Sequence, residues 1–141
     1  MAARTIYLIK RLEMEVTSRM THKLGVQGIT PAQFTILSFV DKTEMDMSSA
    51  QLSRRFFMTP QSMNEVVGTL ERKELIEIDT DPNHKRILRI RLTEIGQETL
   101  QVCNIAMDSL EADLLSGFNA EETNHFRQFI GRILTPPNEG L

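Results

Sequence analysis

Residues 56–76, FFMTPQSMNEVVGTLERKELI, hold the reading that decides the fold. Thr59 followed by Pro60 signs a helix start: a hydroxyl can cap the first amides, and proline fits the first helical position because its missing N–H is no loss there. Ser62 stands where Glu or Gln would complete a capping box. At ~100° per residue, with Met63 taken as the inward direction, Val67 and Leu70 fall within about 40° of it and Val66 about 60° away. Gln61, Glu65, Gly68 and Arg72 gather on the opposite side, with Asn64 and Thr69 at its borders. The inner side is wholly apolar, so the outer one faces water or a ligand. Gly68 costs the helix roughly 1 kcal/mol relative to Ala, a loss that a close backbone approach would explain.

Upstream, SSAQLSRRF carries Ser48 and Gln51 at capping-box spacing, which starts a helix at Ser49. Pro60 disfavours helical geometry at Thr59, so the two helices cannot be one rod. Only Phe56, Phe57 and Met58 separate them, and two short helices joined by a tight apolar turn form a helix-turn-helix. Earlier still, Thr30, Pro31 and Gln33 in TPAQF sign another helix start, and GVQGIT breaks the helix before it. That first helix, over residues 5–23, repeats Ile6, Ile9, Leu12, Val16 and Met20 at spacings of three and four, with Leu8 off the stripe as a partner-facing contact.

Downstream, LIEIDT and ILRIRLT alternate. Ile76 and Ile78 share one side of the first; Leu88, Ile90 and Leu92 share one side of the second, with Arg89 and Arg91 opposite. DPNHKR joins them through the turn formers Asp81, Pro82 and Asn83. A helix-turn-helix followed by such a hairpin is a winged helix. Thr93 then caps a long helix with Ile95, Val102, Ile105, Ala106, Leu110 and Leu114 as its apolar stripe. Asn119 and Glu122 open a last helix carrying Phe126, Phe129, Ile130 and Ile133, before a frayed TPPNEGL tail.

The fold class is therefore mainly α with a small β-hairpin wing, a single domain of 141 residues. Residues 29–93 form the winged helix-turn-helix lobe, and the helices of residues 1–28 and 94–141 form a dimerisation platform, because apolar helices outside a complete small module exist to bury against a partner.

The net charge of −3 argues against a nucleic-acid protein until it is divided along the chain. Residues 96–141 hold two Lys/Arg against seven Asp/Glu, whereas residues 50–95 hold eight against seven. Residues 82–93 contain Lys85, Arg86, Arg89 and Arg91 and no acid, and this local run is what a polyanion would meet. Arg4, Lys10, Arg11 and Arg19 interrupt any signal-peptide core, and no segment approaches the ~20 apolar residues that span a bilayer. Cys103 is the sole cysteine, which excludes an intrachain disulfide and fits a reducing cytoplasm.

Asn and Gln can bond both polar atoms of adenine in the major groove, and Glu accepts from cytosine. Ser62 and the free amides at the helix start suit phosphate oxygens. For any one of these residues a solvated face is the simpler account; the whole set, placed between a tight turn and a basic hairpin, favours DNA reading. Arg89 and Arg91 fit the exposed side of a half-buried strand. Lys85 and Arg86, at the tip, are placed to reach the flanking backbone or minor groove.

With these elements the chain resembles the MarR (multiple-antibiotic-resistance regulator) family of winged-helix transcriptional regulators, through TPAQFTILSFV, QLSRRFFMTPQSMNEVVGTLERKELI and DPNHKRILRIRLTEIG. The resemblance implies a homodimer with interleaved first and last helices and two recognition helices in successive major grooves of a pseudo-palindromic operator. Its recognition positions fall on Thr59, Gln61, Ser62, Asn64 and Glu65, its wing arginine on Arg86, and its helix-turn-helix core on Leu52, Phe56, Met58, Met63, Val67 and Leu70. Three positions depart from the pattern: His84 replaces a wing Asp, Phe57 a turn Gly, and Glu74 the Gly after the recognition helix. Left-handed geometry at Glu74 would cost on the order of 1–2 kcal/mol.

The resemblance further implies a repressor released by a small aromatic or phenolic effector. Arg19, Met20 and His22 are candidates to line its pocket, as is Met107, although ordinary packing accounts for each. Cys103 has no basic neighbour in sequence to activate it and reads as a buried structural thiol. His22, His84 and His125 are isolated, so no metal site is expected. With no nucleophile–base motif and no phosphate loop, neither a catalytic role nor a cofactor is expected. The competing reading is a winged-helix protein–protein adaptor that does not read DNA.

Overall fold

The computed structural model describes residues 2–42 and 45–135, without the side chains of Lys42, Met45, Asp46, Asp81 and Lys85. The expected frayed tail, beyond Thr135, lies outside the described residues. In chain order the elements are α1 (Thr5–Gly25), α2 (Pro31–Lys42), β1 (Met45–Ser48), α3 (Ser49–Arg55), α4 (Pro60–Arg72), β2 (Ile76–Asp81), β3 (His84–Leu92), α5 (Glu94–Leu114) and α6 (Ala120–Leu134).

The helix starts form where the capping residues stand. Thr30 and Gln33 exchange side-chain and backbone bonds at 3.2 and 3.1 Å. Ser48 and Gln51 do so at 3.1 and 2.9 Å, and Asn119 and Glu122 at 2.8 and 3.0 Å. Each box satisfies two amides that the helix cannot.

Three helix ends share one device. After α1, Ile29 N–H donates to Leu24 C=O (3.2 Å) and Gly28 N–H to Gly25 C=O (3.0 Å). After α3, Met58 donates to Ser53 (2.9 Å) and Phe57 to Arg54 (3.4 Å); after α4, Leu75 donates to Leu70 (3.0 Å) and Glu74 to Glu71 (2.9 Å). This nested pair is the Schellman closure, which needs left-handed geometry at its penultimate residue. Gly28, Phe57 and Glu74 supply it, with φ of 69°, 53° and 60°. Glycine adopts that geometry freely, whereas Phe57 and Glu74 hold it against the Cβ–carbonyl clash. Glu74 is secured further, because its carbonyl accepts from the Thr93 hydroxyl at 2.6 Å, and Thr93 Oγ1 in turn accepts from Gly96 N–H at 2.9 Å. Lys73 Nζ reaches across to Gly28 C=O at 2.5 Å, tying the ends of α4 and α1.

The sheet has the order β1-β3-β2, antiparallel throughout. β1 was not expected: MDMS is too short to show alternation, and its strand conformation is tied to non-local pairing, Met47 opposite Leu88 and Met45 opposite Ile90. The apolar face of the hairpin packs inward through Ile76 and Ile90, with Ile78, Leu88 and Leu92 half-buried.

The chain divides into two compact units, residues 1–107 and 108–141. The first is organised around Leu24, Ile36, Leu37, Leu52, Met63, Leu70, Ile76, Ile90 and Cys103, all essentially inaccessible. Burial pushes the Cys103 thiol above its ordinary range, as suits an inert core residue. α5 departs from its sequence stripe. Leu100 and Cys103 enter the core, while Ile95, Val102 and Ile105 remain exposed. Of the other stripe residues, Leu110 is buried and Ala106 and Leu114 are half-buried. The helix therefore has apolar residues on more than one face, and sequence periodicity mixed covered and uncovered positions. In the second unit, Arg127 Nη2 pairs with Glu111 Oε1 at 2.5 Å, and Phe118 meets Phe126 edge-on with centroids 5.7 Å apart.

Gly96 is where α5 crosses the end of β2's approach. A Cβ there would lie 2.0 Å from Leu75 C=O, inside any tolerable contact. Only a residue without a side chain lets the helix pass.

Candidate nucleic-acid interface

α4 is anchored by Met63, Val67 and Leu70, all buried, with Val66 half-buried beside them. Burying three large apolar side chains on a helix of this length fixes its rotation about its own axis. Gln61, Ser62, Asn64, Glu65 and Arg72 are consequently exposed, and Gly68 and Thr69 lie at intermediate depth. The expected outward set is thus brought together on one face.

The first turn is more committed than expected. Thr59 Oγ1 accepts from Ser62 N–H at 3.1 Å and donates to Ser62 Oγ at 2.9 Å. Pro60 has no N–H to offer and Thr59 takes the Ser62 amide, so the amides this helix start leaves for an anion are those of Thr59 and Gln61. An anion at this terminus would meet those two amides and the proton that Ser62 Oγ retains.

The turn before α4 is held by Phe56, whose ring meets Phe39 edge-on at 5.2 Å, with the Arg55 guanidinium 5.3 Å from the Phe39 centroid. Phe57, by contrast, is 97% exposed.

The wing carries the basic tip. Thr80 pairs with Leu88, but Asp81 pairs with His84, so Lys85, Arg86 and Ile87 are surplus to the β2 pairing and the strand bulges there. Arg86 is exposed on this bulge; the Lys85 side chain lies outside the described residues. Arg89 and Arg91 stand in register with Asp79 and Glu77. Opposite charges facing across a strand pair are the ordinary pattern of a solvated sheet face, in keeping with the reading of these two as structural.

The effector candidates diverge. Arg19 Nε bonds Glu15 Oε1 at 2.9 Å on the exposed side of α1, His22 is exposed, and Met20 packs against the core together with Met107. Among the described residues, no group of three or more His, Cys, Asp or Glu side chains is arranged to hold a metal ion.

One arrangement was not foreseen. Arg72 Nη2 donates to Thr69 Oγ1 at 3.0 Å, and a Cβ at Gly68 would stand 3.3 Å from Arg72 Nη1. The guanidinium occupies the space that Gly68 leaves on the outer face. The sequence signal was present, since Arg72 is the one Lys or Arg within α4, but its fold-back direction was not.

Residues 27–87 match the MarR family model. A curated relative, the HTH-type transcriptional regulator YsmB of Bacillus subtilis, is 24% identical over 110 residues, covering 78% of this chain and 75% of that one. Among solved structures, the S. aureus MepR–DNA complex is similar at 22% identity, with 94% of this chain and 98% of that one covered and a TM-score of 0.82. A Mycobacterium tuberculosis MarR family protein is similar in complex with DNA (22% identity, 95% and 100% covered, TM-score 0.78) and with salicylic acid (23% identity, 94% and 97% covered, TM-score 0.74). The structural likenesses establish the shared winged-helix architecture, and the family model matches the segment containing the helix-turn-helix and most of the wing. Residues 27–87 of the chain thus match the MarR family, and the chain shares the winged-helix fold of these solved regulators.

Proposed function

We propose that this regulator is a homodimeric, sequence-specific DNA-binding repressor that acts in the cytoplasm, on a pseudo-palindromic operator. The observation that carries the reading is the division of α4. Its inner side is buried through Met63, Val67 and Leu70, and its outer side presents Gln61, Asn64 and Glu65 beside a wing that bulges at Arg86. The exposed amides and carboxylate carry the donors and acceptors that tell base pairs apart in the major groove. Ser62, its hydroxyl held by that of Thr59, meets the phosphates at the helix start, and Lys85 and Arg86 meet the flanking backbone or minor groove.

Dimerisation is supported by what the outer helices leave uncovered. α1 buries only Leu24 within its own chain, and Ile6, Tyr7, Leu8 and Ile9 are exposed. α6 buries no residue at all, with Phe129, Ile130 and Ile133 exposed. Helices of this kind draw their stability from an apolar partner face, and a second copy supplies one. Residues 1–28 and 94–141 then form the platform and residues 29–93 the reading lobe.

The mycobacterial relative seen with salicylic acid supports a small aromatic or phenolic effector. Arg19, Met20 and His22 remain the candidates to meet it.

Selection of bound genomic fragments tests this function. Enrichment of a shared inverted repeat is the expected result. Recovery of fragments no different from the input would leave the protein–protein adaptor as the better reading.

A further inference from the structure

The outer face of α4 contains one cation, and it lies against a position that has no side chain. Arg72 lies at the C-terminal end of the helix, yet its guanidinium does not extend beyond that end. Like other long helical side chains it leans toward the N-terminus. It settles over Gly68, 3.3 Å from where a Cβ would stand, and donates through Nη2 to Thr69 Oγ1 at 3.0 Å. Among the described residues no carboxylate pairs with it. The result is an exposed, oriented guanidinium one turn beyond Glu65, on the same face as Gln61.

We propose that Arg72 is a base-reading residue of α4, that its target is a guanine in the major groove, and that Thr69 and Gly68 position it. The proposal rests on the reading above that this face lies in the groove. Guanine presents two acceptors, O6 and N7, side by side, and the arginine fork matches both at once; this is the commonest base-specific contact. Thr69 engages one N–H and restrains the fork, leaving other N–H groups for the base. A guanidinium seated on the middle of the helix face meets base edges, whereas phosphates line the rim of the groove. Gly68 fits the same arrangement: a Cβ there would stand 3.3 Å from Arg72 Nη1, a tight contact that would press on the guanidinium in its seat.

The test selects bound duplexes from a random pool with the wild-type chain, Arg72→Ala, Arg72→Lys and Thr69→Val, then measures affinity on the wild-type site. The wild type should select a guanine that both Arg72 variants cease to prefer, and affinity for that site should fall about 5- to 150-fold, with little change on random DNA. Thr69→Val should weaken the same preference at an unchanged melting temperature, the mark of a positioning residue. An unaltered preference in Arg72→Ala overturns the proposal. So does full affinity in Arg72→Lys, which would make Arg72 a point charge on a phosphate. A wild-type chain that selects no sequence overturns the DNA-reading function itself, and the role of Arg72 with it.

Discussion

At the scale of residues, Phe57 and Glu74 show that a closing motif can override residue preference. Each is in left-handed geometry, and each is held by the same nested pair of hydrogen bonds that Gly28 makes. Glu74→Gly should therefore raise unfolding stability, by up to about 1 kcal/mol once the extra freedom of glycine in the unfolded chain offsets part of the relieved strain. A urea titration measures it, and a loss of stability would mean that the Glu74 side chain contributes more than its backbone costs. On the reading face, Asn64→Ala should weaken binding to a cognate duplex by roughly 1–3 kcal/mol and affect random DNA much less. Equal losses on both, in a fluorescence-anisotropy titration, would remove Asn64 from base reading. Residue identity announced both glycine replacements, because those positions are glycine in the family pattern. It did not announce the seat of Arg72, which depends on two side chains meeting beside a residue that has none.

At the scale of elements, what was legible in sequence was local chemistry. The boxes at Thr30, Ser48 and Asn119 and the caps at Thr59 and Thr93 set helix starts through contacts three residues apart, so they could be read directly. The hairpin was legible through its alternation. β1 was not, since its pairing with β3 bridges about forty residues of chain. The choice of inward face on α5 was not either, because a helix with two apolar faces gives periodicity no single answer. The wing illustrates both sides: its basic tip was evident, but the bulge that leaves Arg86 outside the β2 pairing appears only in the register. Arg86→Ala should weaken binding to all duplexes and flatten the salt dependence by about one unit of slope per wing. An unchanged slope would mean that the wing does not touch the polyanion.

At the scale of the whole molecule, the acidic balance of the chain conceals how charge is distributed. Residues 96–141 carry most of the excess acid, and the basic run sits on the wing. The apolar residues exposed on α1 and on α6 belong to the same scale. Ile130→Glu should shift the protein from dimer to monomer in sedimentation and leave the lobe folded, because Ile130 is exposed in the chain and outside its core; an unaltered mass would place the interface elsewhere. The proposed dimer also bears on DNA, because two α4 helices joined by such a platform would contact two half-sites at once. The decisive measurement is a titration of the purified chain against a selected duplex and a scrambled one, each at two salt concentrations. Affinity should fall steeply with salt on both duplexes and stay at least about a thousandfold tighter on the selected one. Absence of binding even at low salt would contradict DNA recognition by this winged helix.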